Sequence, residues 1–237
     1  MTSTKGMTKT VLKPNYEAAQ NMAWQVLKEY ADYQLPISLY KIIAKIPALH
    51  TRPYSKLAWL FGCKVDEVDD IIGSENGGAL WSRPPKGDFI LAYDDISSNW
   101  QRMRFTIAHE LGHFFLGHYD FENNPGLIVD GKLELSDHES YVVYEQEANY
   151  FAKRLLVPTP VLMDVNSQMT VDSYSLSSIF QVSLECSNYI IKGVNNLLRY
   201  GNYYQQDLEL SLRYRNAVNE AVRNYHAIDL LHNNAAK

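Results

Sequence analysis

Residues 104–119, RFTIAHELGHFFLGHY, combine three histidines and a glutamate in an otherwise apolar stretch. His109, Glu110 and His113 form the pattern His-Glu-x-x-His. Two histidines four residues apart lie one turn above each other on one face of a helix, so both imidazoles can bind one zinc ion. Glu110, about 100° further around the helix, can accept a proton from a water molecule at that ion. The spacing therefore predicts a zinc-dependent hydrolytic site.

A catalytic zinc site needs a third protein ligand and leaves a position for water. His118 is close in sequence, but the long pattern H-E-x-x-H-x-x-G-x-x-H requires glycine at position 116 and histidine at 119, which are leucine and tyrosine here. A later segment, YEQEANYFAKRLLVP, supplies Glu145 and Glu147 instead. These two glutamates lie on opposite flanks of one apolar helical stripe. Periodicity alone does not choose between them.

The segments around these residues predict an α+β fold that is mostly helical, with a small β-sheet. GGALWS and DFILAYDD flank the turn sequence RPPKG and predict a β-hairpin. A helix follows from a cap at residues 97–99 to about residue 119. A second long helix is predicted from Ser136 to Pro158. Between these helices, residues 120–137 predict a loop with one short strand.

The position of the DFILAYDD strand suggests a role in substrate binding. In zinc peptidases, an edge strand beside the active-site helix binds an extended substrate through backbone hydrogen bonds. We expect DFILAYDD, which directly precedes the helix of His109, to occupy that edge.

The rest of the chain divides into three parts. Residues 1–14 predict a disordered tail, and residues 15–200 predict one domain that holds the site. Two stretches in this domain, at about 55–73 and 173–194, have a helix-turn-helix-like rhythm, and a shorter helix is predicted to begin at Pro36. Residues 201–237 predict an amphipathic C-terminal helix.

Composition limits the classes of partner. The 237 residues carry a formal net charge of −5, and the second helix of the 55–73 segment is rich in acidic residues, so no direct contact with nucleic acid is expected. No apolar run has the roughly 18 residues that a membrane span needs. The only cysteines, Cys63 and Cys186, are far apart in sequence and predict reduced thiols. We therefore expect a cytoplasmic protein without membrane contact.

The two motifs together resemble the ImmA/IrrE family of zinc metallo-endopeptidases. That family pairs R-F-T-x-A-H-E-x-G-H with E-A-N-x-F-A-x-x-L-L-M-P, and only the methionine differs here, as Val157. The resemblance covers about residues 15–195 and implies a zincin-like domain with a gluzincin-like site. It implies Zn²⁺ held by His109, His113 and Glu147, with Glu110 as catalytic base.

Four further residues are candidates around the predicted site. Glu145 is the reserve ligand. Asn149 suits a role in orienting a ligand, because it lies on the same helix as both glutamates. His118 and Tyr144 could support a ligand or donate to an oxyanion.

The resemblance also implies a biological role. Family members are typically cytoplasmic proteins of bacteria, phages and mobile elements that cleave or inactivate a helix-turn-helix repressor, and so release its genes. The expected partner is therefore a protein substrate of that kind. The alternative is a non-proteolytic anti-repressor that binds the repressor and keeps a zinc site. Glu110 separates the two hypotheses, because only a peptidase requires the base.

Overall fold

The computed structural model describes residues 13–74, 77–83, 87–118, 127–129, 132–134, 138–200 and 207–235. The predicted tail lies outside these ranges except for residues 13 and 14. The tip of the predicted turn, residues 84–86, and the predicted cap Ser136 also lie outside them.

The described residues are mostly helical, with two small sheets. The helices are α1 (Tyr16–Tyr30), α2 (Leu39–Ile43), α3 (Tyr54–Phe61), α4 (Val68–Ile72), α5 (Trp100–Leu116), α6 (His138–Leu156), α7 (Thr159–Gln168), α8 (Ser173–Phe180), α9 (Leu184–Tyr200) and α10 (Leu208–Ala235). The strands are β1 (Leu49–Pro53), β2 (Gly78–Arg83), β3 (Asp88–Tyr93), β4 (Leu127–Val129) and β5 (Lys132–Glu134). The predicted mostly helical, zincin-like α+β fold is confirmed.

Helix α5, which carries the histidines, is fixed at both ends. Asn99 is its N-cap, and the Asn99 side chain accepts a hydrogen bond of 2.9 Å from the Arg102 amide. This cap is one of the three residues proposed from the sequence. The helix ends at Gly117, whose φ of 72° is a left-handed conformation that glycine adopts without strain.

Helices α5 and α6 pack with their backbones close together at Gly112. A Cβ atom at this position would lie 3.0 Å from the Ala148 Cα atom and 3.2 Å from a ring carbon of Phe151. Glycine therefore permits a separation that a side chain would widen. This contact places the middle of α5 directly against the middle of α6.

The larger sheet has the strand order β1-β3-β2. Strands β2 and β3 pair antiparallel, with Gly78 opposite Tyr93, so the predicted hairpin is confirmed. Strand β1 pairs with β3 in parallel and was not predicted, because its sequence, LHTRP, alternates poorly and ends in proline. The expectation that β3 is an edge strand is wrong, since β3 is paired on both sides.

Strand β2 is the edge strand that lies against α5. A Cβ atom on Gly78 would lie 2.3 Å from the Thr106 Cγ2 atom and 3.7 Å from the Glu110 Cγ atom. Only glycine allows β2 to approach the helix this closely. The sheet edge therefore lies next to the predicted catalytic residue.

The main core joins α1, α5 and α6 with the C-terminal helices. Its fully buried side chains include Leu27, Leu111 and Phe151, and those of Tyr214 and Val218 on α10 belong to the same cluster. Lys28 of α1 forms an ion pair of 2.7 Å with Asp207, which caps the start of α10. The C-terminal helix thus contributes to the core that supports α5.

Two local predictions differ from the structure in detail, and a third corresponds to observed helix pairs. The helix predicted from Pro36 begins at Leu39, because the Ser38 side chain caps it by accepting a hydrogen bond from the Lys41 amide. The loop predicted with one strand contains two, β4 and β5, which pair with each other. The helix-turn-helix-like segments are the pairs α3–α4 and α8–α9, and Gly62 ends α3 in a left-handed conformation.

Both cysteines, Cys63 and Cys186, are free. Among the described residues, no helix combines the length and apolar character required to cross a membrane.

Candidate metal centre

Helix α5 places the three residues of the His-Glu-x-x-His pattern in the protein interior. His109, Glu110 and His113 are 9%, 6% and 6% exposed. One helical turn separates the two histidines, and their Nε2 atoms lie 3.0 Å apart. The local geometry is the one predicted from the spacing: two imidazole nitrogens directed at one point.

Helix α6 brings the Glu145 carboxylate to the same point. Its oxygens lie 3.3 Å from His109 Nε2 and 3.2 Å from His113 Nε2. One ligand atom from each of the three residues lies within 4.8 Å of the other two. Among the described residues, this is the one group of side chains whose geometry could hold a metal ion.

The distances within this group suit a small divalent cation. Zinc bonds to nitrogen and oxygen are about 2.0 to 2.2 Å long, so neighbouring ligands of a tetrahedral ion lie about 3.3 Å apart. The three observed separations, 3.0, 3.2 and 3.3 Å, are close to that value. Two imidazoles and one carboxylate form a typical ligand set of catalytic zinc and leave a fourth position open. The residues therefore fit the metal.

Glu147, the ligand implied by the family resemblance, occupies a different position. One of its oxygens accepts a hydrogen bond of 2.6 Å from the Asn15 amide, and the other lies 3.1 Å from His118 Nε2. It is not a member of the group formed by the histidines and Glu145. The structure therefore favours the reserve ligand, Glu145, over Glu147.

The neighbours of α6 explain which glutamate faces the histidines. The two glutamates flank the buried stripe of α6 on opposite sides, as periodicity predicted. Helix α1 packs on the Glu147 side, where the Tyr16 hydroxyl donates to the Gln146 side chain and the Tyr16 ring contacts Tyr150. The Glu145 side faces α5. The choice depends on tertiary packing, which the local sequence pattern does not contain.

His118 links Glu147 to the metal centre. Its Nδ1 atom lies 2.9 Å from His113 Nδ1, and its Nε2 atom lies 3.1 Å from Glu147. If His113 binds a metal through Nε2, its proton is on Nδ1 and is donated to His118 Nδ1. The proton of His118 is then on Nε2 and is donated to the Glu147 carboxylate. One assignment of protons thus satisfies both hydrogen bonds, from His113 to His118 and from His118 to Glu147.

His118 is neutral in this series of hydrogen bonds. Burial and then the charge of His113 lower the pKa of His118 to about 3. The residue is 2% exposed, and its ring stacks on Tyr144 with 4.5 Å between ring centres. Tyr144 therefore supports His118 by ring packing.

Asn149 is the corresponding partner of His109. Its side chain hydrogen bonds to His109, one turn of α6 away from Glu145. Each histidine of the group therefore has a second polar partner on or near α6. Such partners fix the tautomer and orientation of a metal-binding imidazole.

The charges of the site are strongly coupled. Burial raises the pKa of Glu145, but hydrogen bonds from His109 and His113 outweigh burial and hold this pKa well below its ordinary value. The carboxylate is thus ionised, as a metal ligand must be. Burial raises the pKa of Glu110, and the two histidines only partly oppose this effect. A raised pKa suits a carboxylate that must accept and return a proton.

One cavity lies at the centre, and a second cavity adjoins it. The smaller, of about 210 Å³, is lined by His109 and Glu145 together with Arg102, Phe105, Thr106 and Asn149. The larger, of about 540 Å³, shares Arg102 and Phe105 with it and extends to Lys153 and α9. Neither Arg102 nor Lys153 was predicted from the sequence as a site residue. Arg102 could have been predicted from its spacing, because it lies seven residues before His109, two turns along the same face of the helix.

A comparison with known families agrees with this geometry. Residues 96–192 match the model of the Peptidase M78 family, described as the IrrE N-terminal-like domain. The matched region contains α5, α6 and every member of the metal-binding group. The match supports a metallopeptidase of the IrrE/ImmA kind. No curated protein matches the chain.

Proposed function

We propose that this protein is a zinc-dependent endopeptidase in which His109, His113 and Glu145 hold the metal and Glu110 is the general base. The observation that carries the proposal is the convergence of two Nε2 atoms and a carboxylate at separations of 3.0 to 3.3 Å. A buried glutamate with a raised pKa lies beside them. A site that only stabilised the fold would have no need of this fourth residue.

The residues divide the work of peptide hydrolysis between them. When bound, zinc lowers the pKa of water and polarises a carbonyl group. Glu110 takes a proton from the attacking water and later gives it to the nitrogen of the leaving amine. The buried walls around Glu110 keep its carboxylate in contact with the reacting groups and away from bulk solvent.

The outer partners keep the two imidazoles in position. His118 accepts the Nδ1 proton of His113 and donates to Glu147, which is itself held by the Asn15 amide. Asn149 holds His109. The role of Glu147 in this proposal is to orient His118, so the glutamate acts on the metal indirectly. His118 and Asn149 act in the same way.

Strand β2 provides a position for the substrate backbone. It is the edge strand next to α5, and Gly78 brings its backbone close to Thr106 and Glu110. An extended peptide that pairs with this edge would pass directly in front of the metal centre. Substrate binding was expected for β3, but β3 is paired on both sides, so we assign it to β2.

The proposed substrate is a helix-turn-helix repressor. The support for this substrate is the resemblance of the two motifs to the ImmA/IrrE family, together with the match of residues 96–192. Cleavage of such a repressor would release the genes that it controls.

Substitution of Glu110 by glutamine tests the proposal. The amide has nearly the same shape but cannot accept a proton at neutral pH. Glu110→Gln is expected to keep about one zinc per chain and to slow cleavage by a factor of roughly 10² to 10⁴. The measurements are zinc content, repressor fragments on a gel and a reporter of derepression, with wild type beside the variant.

Two results would contradict the proposal. Fragments formed by Glu110→Gln at the wild-type rate would remove Glu110 from the base role. Derepression by the variant, without fragments from either protein, would instead identify a non-proteolytic anti-repressor that keeps a metal site.

A further inference from the structure

The cavity of about 540 Å³ has a position and a composition suited to one side chain of a substrate. Its walls come from the start of α5, from Lys153 of α6 and from the α8–α9 turn with the first turns of α9. Phe105, Val182 and Tyr189 make part of its surface apolar. Arg102 and Phe105 also line the smaller cavity with His109, so the two cavities adjoin at these residues.

Two cations in this cavity lack an anionic partner among the residues that the structure describes. Arg102 and Lys153 form no ion pair with a carboxylate of any residue that the structure describes. Lys153 is partly buried, and its Nζ atom lies 4.0 Å from the centre of the Tyr189 ring. Glu185 is the one acidic residue of the lining, and it is exposed on the first turn of α9. The cavity therefore has an excess of positive charge.

We infer that this cavity binds an acidic side chain of the substrate, through Lys153 and Arg102, close to the bond that is cleaved. The inference rests on the proposed peptidase function and specifies its substrate class. A carboxylate would supply the partner that both cations lack. The apolar walls would contact the methylene groups of a glutamate.

The distances along the helices agree with a site close to the cleaved bond. Arg102 lies seven residues before His109, about 10 Å along α5, and Lys153 lies eight residues after Glu145, about 12 Å along α6. An extended peptide advances about 3.3 Å per residue. The side chain of Lys153 leans towards the N-terminal end of α6, where Glu145 lies, and Arg102 lines the smaller cavity together with His109. The acidic side chain would therefore belong to the first or second residue beside the cleaved bond.

Peptide hydroxamates test this inference without a known substrate. The hydroxamate group binds zinc, and the side chain of the adjacent residue is glutamate, glutamine or lysine. A second set varies the next residue. Calorimetric titration of the zinc-loaded protein is expected to show glutamate about tenfold tighter than glutamine in one of the two sets, because a charge-assisted hydrogen bond replaces a neutral one. Lysine should bind more weakly than both.

Substitutions in the cavity identify the residues responsible. Lys153→Met should make glutamate and glutamine equal, and Lys153→Glu should make lysine the preferred side chain. Arg102→Met should reduce the preference for glutamate. Because Arg102 is exposed, this variant is expected to fold even if the substitution of the partly buried Lys153 disturbs folding. Lys192→Glu is the matched control, since Lys192 is exposed on α9 and does not line the cavity.

The possible failures are distinguishable. If all three hydroxamates bind equally in both sets and still require zinc, the subsite is refuted and the metal centre stands. A glutamate preference that survives both Lys153→Met and Arg102→Met also refutes it. If no hydroxamate binds and the protein takes up no zinc, the proposed metallopeptidase function fails, and the subsite fails with it.

Discussion

Replacement of Gly112 by alanine tests whether the separation of α5 and α6 controls the metal centre. Gly112 lies on α5 between His109 and His113, and it faces Ala148, which follows Glu145 by three residues on α6. The added Cβ atom would lie 3.0 and 3.1 Å from the Cα atom and the carbonyl oxygen of Ala148. Because these are backbone atoms, the contact can relax only if the two helices move apart by a few tenths of an ångström.

Two opposing effects determine how much Gly112→Ala changes the free energy of unfolding. Excess volume in a packed interior costs about 1 to 3 kcal/mol, whereas alanine is better than glycine in a helix by up to about 1 kcal/mol. The net effect of Gly112→Ala is a loss of about 1 kcal/mol in the free energy of unfolding. For a protein of this size, that loss lowers Tm by roughly 2 to 4 °C. Zinc affinity should also fall, because the Glu145 carboxylate moves away from the histidines.

Gly193→Ala is the matched control for this prediction. Gly193 lies within α9, and a Cβ atom there would have no neighbour within 4 Å. This substitution should raise Tm and leave zinc affinity unchanged. Thermal unfolding of the metal-free proteins, followed by zinc titration in competition with a chelator, compares the two variants. A Gly112→Ala protein as stable as Gly193→Ala, with wild-type zinc affinity, would refute the argument from helix separation.

Three other predictions follow from the contacts of the site and the core. Glu145→Gln should reduce bound zinc from about one per chain to almost none, while Glu147→Gln should keep about one zinc per chain. Elemental analysis measures both, and the reverse result would identify Glu147 as the ligand. His118→Ala should keep zinc but weaken its binding by roughly 10- to 100-fold, measured by chelator competition, and unchanged affinity would remove the orienting role of His118. Asp207→Ala should lower the free energy of unfolding by about 1 kcal/mol at neutral pH, because it removes a helix cap and the ion pair with Lys28. Burial raises the pKa of Asp207, but hydrogen bonds from Lys28 and the helix amides hold this pKa below its ordinary value. The stabilisation is therefore present above the ordinary carboxyl pKa and is lost as pH falls through the lower, folded-state pKa. Urea unfolding should show the difference between wild type and Asp207→Ala shrinking in acid, and a constant difference would contradict the pKa argument.

The parts of the fold that depend on local sequence were predictable. The i, i+4 spacing places His109 and His113 on one face of any helix, whatever surrounds it. The Pro/Gly turn between two β-rich segments predicts the β2–β3 hairpin, and the Asn99 side chain is a favoured cap. Each of these features is determined within a few residues.

The parts that depend on packing between distant segments were not predictable. Both glutamates of α6 flank its apolar stripe, and the docking of α1, 130 residues away in sequence, decides which one meets the histidines. Strand β1 has little strand character of its own and forms because β3 offers it an edge. The cavity with Lys153 combines α5, α6 and the α8–α9 turn. No single segment contains the pattern for these features.

Anomalous diffraction at the zinc absorption edge, from crystals of the zinc-loaded protein, would show which side chains bind the metal. One anomalous peak is expected between α5 and α6, about 2.0 to 2.2 Å from His109 Nε2, His113 Nε2 and a Glu145 oxygen. Glu147 should remain beside His118, without a bond to the metal. A peak bonded to Glu147 in place of Glu145, or no peak between the two histidines, would refute a zinc site formed by His109, His113 and Glu145.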